Sequence, residues 1–261
     1  MLGQRYSDDT AQRSSRFSWA IHEVTIVSDH DDRERLIQLL SSPDRPEVLG
    51  FVNAHAFNLA WSDAFTRSCF RSCTVLVRDG IGMQILYSAL GLPAGQNMNG
   101  TDLIPEIVAK FAGKRVALFG TAEPFLSTAA EVLRGSAIDV VTTIDGFKSD
   151  EVYLEDAERT GPELIILAMG MPKQERVARL LSQHLRDPCL IICGGAILDF
   201  LSGRVQRAPR WMRRLHLEWA FRLAREPRRL FSRYVVGNIL FLARVAIVRR
   251  EVVNSAAREL G

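Results

Sequence analysis

The sequence predicts an α/β protein, a mostly parallel sheet flanked by helices, with a C-terminal arginine-rich helical appendage. Three observations carry that expectation. Seven short runs are apolar at consecutive positions, as strands buried on both faces must be. Helical patterns lie between most of them, which is the alternation that builds parallel crossovers. After Gly195 the chain turns to helical periodicity crowded with Arg, with no further strand-like run.

In chain order the expected strands are HEVTIV (22–27), EVLGFV (47–52), TVLVRD (74–79), RVALFG (115–120), IDVVTTI (138–144), ELIILAMG (163–170) and CLIICGG (189–195). The expected helices cover 32–41, 54–68, 81–91, 101–112, 123–135, 150–160 and 173–186, and then run consecutively through 196–252. Residues 1–18 are polar and are expected to be a mobile lead-in; 19–203 form the core and 204–261 the appendage. No internal repeat or low-complexity segment interrupts this order.

Composition bounds the partners. An apolar content of 47% and a charged content of 24% belong to an ordinary globular chain. The net charge of +3 conceals an asymmetry: residues 204–250 hold thirteen Arg, no Lys and two acids, a net of +11, leaving −8 for the rest. Such a segment faces an anionic partner, whether phospholipid, polyphosphate or nucleic acid. The cysteines at 69, 73, 189 and 193 have no zinc-type spacing. Cys189 and Cys193, roughly 13 Å apart on one strand face, cannot pinch a metal between them, and all four are expected to be reduced thiols. The N-terminus lacks the apolar centre of a signal peptide. The most apolar window, 235–248, is 14 residues long, is broken by Asn238 and Arg244, and is too short for a confident bilayer span.

Ligands of open α/β sheets bind beyond the carboxyl ends of the strands, so the strand exits hold the candidate site. Asp79, in RDGIG, is a carboxylate between a strand and two glycines, fit for a general base or for a helix cap. Gly120 and Thr121 open a helix after the fourth strand, without a dinucleotide or Walker spacing. MGMPKQE (169–175) is a second glycine turn. Pro172 suits the first helical position, and Gln174 and Glu175 offer polar groups to a base or sugar. Gly194, Gly195 and Asp199, in CGGAILDF, form a third turn. Asn53, His55 and Asn58 follow the second strand, and Asn99, Thr101 and Asp102 read as a turn with Thr101 or Asp102 capping a helix. In RAPRWMRRLHLEWAFRLAREPRRLFSRY (207–234), aromatics alternate with Arg, which suits an anionic membrane surface or, as an alternative, nucleic acid.

Together D-G-I-G, N-G-T-D-L, G-M-P-K-Q-E, G-G-A-x-x-D and R-A-P-x-W…E-W-x-x-R-L…E-P-x-R-L…R-Y resemble the WecG/TagA/CpsF family of glycosyltransferases over about residues 24–245. The resemblance implies a Rossmann-like core and a helical appendage that meets the membrane. It implies an inverting, metal-independent enzyme without a cofactor, moving a sugar from a UDP-sugar to an undecaprenyl-diphosphate-linked sugar. Asp79 then matches the base, Gln174 the nucleotide-sugar pocket and Asp199 the acid of the last turn. Arg207, Arg210, Arg213 and Arg214 would close over diphosphates, with Asn53, His55, Asn97, Asn99, Thr101 and Asp102 on the acceptor side. The expected location is the inner face of the cytoplasmic membrane, with no nucleic-acid partner. Gln96-Asn97-Met98-Asn99 replaces an Arg found before G-x-D-L in many members, and VNAHAFN replaces their T-x-N segment. This variant looks like the xanthan-type branch adding a second glucose, which makes UDP-glucose the first expectation. UDP-N-acetylmannosamine or its uronate is the alternative.

Overall fold

The computed structural model describes residues 16–259 apart from His216. Its strands are β1 (Val24–Thr25), β2 (Pro46–Val52), β3 (Val75–Arg78), β4 (Arg115–Gly120), β5 (Asp139–Ile144), β6 (Leu164–Ala168) and β7 (Cys189–Cys193). They form one sheet in the order β1-β3-β2-β7-β6-β4-β5, every neighbouring pair parallel. The helices are α1 (Trp19–His22), α2 (His30–Leu40), α3 (Ala54–Ser62), α4 (Ala64–Arg71), α5 (Ile81–Ala89), α6 (Gly100–Ala109) and α7 (Phe125–Gly135). They continue as α8 (Asp150–Thr160), α9 (Lys173–His184), α10 (Ile197–Leu201), α11 (Arg210–Arg214), α12 (Glu218–Arg225), α13 (Pro227–Phe231) and α14 (Gly237–Glu259). A π-helical turn, Ser232–Val236, joins α13 to α14.

The apolar runs make the sheet because each strand is covered twice. Leu49, Phe51, Leu118, Ile166 and Ile192 pack on one face beneath α2, α6, α7 and α10. On the other face Ala117, Phe119, Ile165 and Ile191 lie beneath α8 and α9, while Val52 and Leu76 lie beneath α3, α5 and α14. All seven expected strands are present. The chain visits β1 to β3 in one half of the sheet and β4 to β7 in the other, so the halves meet where β2 pairs with β7.

Four expectations are corrected. The first strand shrinks to two residues, because Trp19–His22 turns as a helix and Glu23 caps it in helical geometry. The helix expected over 54–68 is two helices. Asp63 (φ −129°, ψ 120°) accepts hydrogen bonds from Thr66 N–H at 2.7 Å and Phe65 N–H at 3.4 Å, so its carboxylate starts α4 afresh. The lead-in expected to end at 18 overruns the core. Phe17 and Ser18 are buried, and Phe17 stacks on Trp61 with ring centroids 6.5 Å apart; residues 1–15 lie outside the described residues.

The fourth correction concerns the appendage, which is not one unit. α14 returns to the core: Phe241, Val245 and Val248 are buried with Phe57, whose ring meets Phe241 edge-on at 5.5 Å. Arg244 is buried too. It donates to Asn58 O (2.9 Å), Asn58 Oδ1 (2.8 Å) and Ser62 Oγ (2.9 Å), while Asn58 Nδ2 donates to Gly237 O at 2.7 Å. The helical run Pro227–Ser255 is long and apolar enough to cross a membrane by length and composition, far beyond the 14-residue window seen in the sequence. Its inner stripe is nevertheless committed to α3. Its outer stripe leaves Val236, Ile239, Leu240, Ile247 and Val253 exposed.

Candidate active site

Val52 pairs with Arg78, so Asn53 and Asp79 leave the sheet side by side. Asp79 N–H continues the ladder to Val52 O at 2.9 Å, and its Oδ2 lies 3.5 Å from Asn53 Nδ2. The N-cap of α5 is Gly80, at φ 83°, with no side-chain cap. Asp79 is therefore not spent as a helix cap, and the left-handed residue behind it is one only glycine adopts without strain. Buried Arg78 fixes the surrounding loop by donating to the carbonyls of Ala94 (2.9 Å), Gly80 (3.1 Å) and Gly95 (2.9 Å). Asn97 Oδ1 accepts from Gly80 N–H at 2.6 Å. Burial pushes the Asp79 carboxyl up to about 6; Asn53 opposes this, Glu218 adds to it, and Arg233 and Arg222 pull it back. The side chain is half-buried and opens to the cavity described below.

The second half of the sheet supplies the glycine turns. Gly120 pairs with Ala168 at φ 152°, and a Cβ there would stand 2.3 Å from the Ala168 carbonyl carbon. Only glycine lets β4 pass so close to β6. Thr121 follows at φ 45°, a left-handed geometry uncommon for a residue with a side chain. Its Oγ1 donates to Asp199 Oδ1 at 2.5 Å, and Arg204 Nη1 reaches the same oxygen at 3.3 Å. Gln174 is fully buried: Nε2 donates to Glu175 Oε1 (2.8 Å) and Oε1 accepts from Gly195 N–H (2.9 Å). Burial pushes Glu175 up to about 7, with the Gln174 amide opposing, and its Oε2 has no partner among the described residues.

At the rim, the turn after β5 holds Phe147 out at 78% exposure. The turn itself is pinned. Phe147 N–H donates to Asp145 Oδ1 (2.9 Å), the Tyr153 hydroxyl donates to Asp145 O (2.8 Å), and Lys173 Nζ donates to Gly146 O (2.9 Å) and Lys148 O (2.6 Å).

α11 to α13 and the π turn roof these exits, closing a cavity of ≈870 Å³ that takes in Asn53, His55, Asp79, Asn97, Asn99, Thr101, Asp102, Thr121, Gly170, Gln174, Gly194, Gly195, Asp199 and Arg213. The roof adds residues that were not among the expected site residues, although all but Arg204 stand in the quoted motifs: Arg204, Glu218, Trp219, Arg222, Arg229, Arg233 and Tyr234. The Nε groups of Arg213, Arg222 and Arg233 are buried without a hydrogen-bond partner among the described residues. Burial pulls the Arg233 guanidinium below its ordinary value, and burial, then Arg233, hold His55 down to about 4, neutral at pH 7. Unpartnered guanidinium donors over a carboxylate suit an anionic ligand carried past a base.

Several expected roles change. Both ends of the Gln174 amide are engaged internally, so it braces the Gly195 turn instead of offering itself to a sugar. Glu175 lies beneath it, out of the cavity, and Gly120 lies under the floor. Pro172 is the N-cap of α9, one position before the helix, joined to Met171 by a cis peptide. Neither Thr101 nor Asp102 caps α6. Asn99 does, through Thr101 N–H at 2.9 Å. Asp102 is tied to Arg207 at 2.7 and 3.1 Å, which holds its carboxyl below the ordinary value, and Arg213 stands 3.7 Å away. Arg210 and Arg214 are exposed and do not line the cavity. Arg222, Arg229 and Arg233 stand in the E-W-x-x-R-L, E-P-x-R-L and R-Y motifs, and their spacing (seven and four residues) repeats on one helical face, which together were the signal available for them.

A parallel doubly wound sheet with a carboxylate and glycine turns at its carboxyl edge, under an arginine roof, is the scaffold of a glycosyl transferase. The chain belongs to the WecG/TagA/CpsF glycosyl transferase family, whose model matches residues 20–255. It is 29% identical over 163 residues to an N-acetylglucosaminyldiphosphoundecaprenol N-acetyl-beta-D-mannosaminyltransferase of Bacillus spizizenii, covering 60% of this chain and 63% of that protein. It is 28% identical over 185 residues to the enzyme of the same name from Bacillus subtilis, covering 69% and 72%. The matched stretch thus spans less than two thirds of the first relative's length. Neither relative speaks for the second-glucose branch expected from the sequence.

Proposed function

We propose that this protein is an inverting glycosyltransferase that carries a sugar from a UDP-sugar to a sugar on undecaprenyl diphosphate. The observation that carries the reading is the Asp79 carboxylate, uncommitted to any cap, opening into a cavity roofed by Arg213, Arg222 and Arg233. With a pKa of about 6, Asp79 is mostly ionised at pH 7. It takes the proton of the acceptor hydroxyl as that oxygen attacks the anomeric carbon from the face opposite the departing diphosphate. Arg213, Arg222 and Arg233 stabilise the charge that develops on UDP. Phe147 offers an aromatic face to the base, and the Thr121–Asp199 pair stands where a ribose would meet it. The names of both relatives support N-acetylmannosamine as the donor sugar and a diphosphate-linked N-acetylglucosamine as the acceptor, ahead of glucose.

The exposed Trp211, Leu215 and Phe231 among the arginines of 207–234, with the outer stripe of α14, suit a peripheral position on an anionic inner leaflet. The test offers the purified protein undecaprenyl-diphosphate-linked N-acetylglucosamine with UDP-N-acetylmannosamine, UDP-glucose, UDP-glucuronate and UDP-N-acetylglucosamine in turn. UDP release and product mass are read. Turnover with UDP-N-acetylmannosamine is expected; turnover with UDP-glucose alone reinstates the glucose reading, and silence with every donor removes the proposal.

A further inference from the structure

The cavity changes character along its length. Towards β4, β6 and β7 it is lined by glycine turns, Asp199 and arginines; from α5 and α14 it takes aliphatic and aromatic side chains, with the polar His55 and Asn238 beside them. Ile81 and Ile85, one helical turn apart on α5, line it together with Leu242 of α14 and Trp219 of α12. Ile85 is 39% exposed, Leu242 50% and Trp219 36%. The Trp219 ring is steadied against Tyr234, 6.3 Å between centroids. A trough of exposed aliphatic and aromatic side chains is costly in water unless something covers it. This one begins two residues beyond the base, so its occupant is whatever is covalently attached to the hydroxyl that Asp79 deprotonates.

We propose that the α5–α14 trough binds the first isoprene units of the acceptor's polyprenyl chain. The proposal rests on the reading of function above and adds a lipid subsite to it. An isoprenoid is flexible, bears methyl branches and has no hydrogen-bonding atoms. It fits walls of Ile and Leu, which line the same cavity as the polar groups around Asp79. The polar head and the apolar chain are thus sorted by one cavity before the membrane is involved.

The test uses two acceptors in free solution, without vesicles: N-acetylglucosamine diphosphate esterified with a farnesyl chain or with a methyl group. The donor is whichever sugar turns over in the panel above. The wild-type protein is expected to favour the farnesyl acceptor in kcat/KM by about tenfold or more, the scale of a few buried methylenes. Ile85→Asn and Leu242→Asn, both at partly exposed positions, are expected to bring that ratio close to one, while Ile85→Leu keeps it. Thermal unfolding confirms that each variant is folded. Equal use of the two acceptors by the wild type overturns the trough and leaves the transferase reading standing. A preference that persists in both Asn variants also overturns it. No turnover with either acceptor or any donor overturns the transferase reading, and the lipid subsite with it.

Discussion

Replacing Asp79 with Asn should make the protein more stable at neutral pH and nearly inactive. The carboxyl has its pKa raised by burial from 3.8 to about 6. A carboxyl whose folded value exceeds its unfolded value favours folding in its protonated form, so its contribution is fully present below pH 3.8 and is lost as pH rises to about 6. At pH 7 the wild type therefore bears the cost of an ionised, partly desolvated group. The full shift would correspond to ~3 kcal/mol, which the opening of the side chain to the cavity reduces to about 1–2 kcal/mol. Asparagine, of the same shape but uncharged, avoids that cost. For a chain of this size the gain in Tm is about 3–6 °C at pH 7, shrinking towards zero by pH 4. Circular dichroism melts of both proteins between pH 4 and pH 7 measure it. In the same window, wild-type kcat/KM should fall by about tenfold from its plateau by pH 5, as the base is protonated, and Asp79→Asn should lose 10²–10⁴-fold in turnover. UDP affinity by calorimetry should change little, because the base acts on the acceptor. A variant that melts lower than wild type at pH 7, or by the same difference at pH 4 and pH 7, refutes the reasoning about desolvation. A flat pH profile between 5 and 7, or substantial turnover by the variant, refutes the base.

Two further substitutions probe other parts of the structure. Arg244→Ala leaves Asn58 and Ser62 without their donor beneath α14 and should cost about 2–3 kcal/mol in urea unfolding; a loss below 1 kcal/mol would mean that α14 is held by its apolar stripe alone. Phe147→Ala should weaken UDP binding by about tenfold, the scale of one base–aromatic stack, while Phe147→Trp retains it; calorimetric affinities that match across all three proteins would remove Phe147 from the nucleotide site.

The sheet was legible because strands buried on both faces leave an unmistakable trace: LIIL at 164–167 and CLIIC at 189–193 have no polar position to place in water. The two-residue β1 was over-read because HEVTIV alternates well enough to hide that its first two residues finish a helix. The break at Asp63 was missed because an aspartate in a helical pattern reads as surface charge until its carboxylate is seen to start α4. At the site, Asp79 and the glycine turns were readable from position alone, since a strand exit constrains both. The partners of Gln174, Asn97 and Asn99 were not. An amide has donors and an acceptor to give, and nothing in the order of residues says that Gly195, Gly80 and Thr101 claim them. The roof was half right for a similar reason. The Arg-rich composition identified the segment, but which arginines turn inwards depends on how α12 to α14 dock, and α14 is held by Asn58, Phe57 and Ser62, more than 150 residues earlier.

The docking of α14 has a consequence for the order in which this molecule can be made. Val52, Phe57 and Leu86 belong to the half of the fold that a ribosome completes first, yet Phe241, Val245 and Val248, which share their cluster, are translated only after β4 to β7. That half-sheet leaves the exit tunnel covered by α3 and α5 but with the surface that α14 will cover still bare, and it waits through the whole synthesis of β4 to β7 for that cover. Nascent chains of this protein are therefore at their stickiest in mid-translation, and a ribosome stalled anywhere before residue 240 holds out a surface that chaperones, or neighbouring nascent chains, are bound to find.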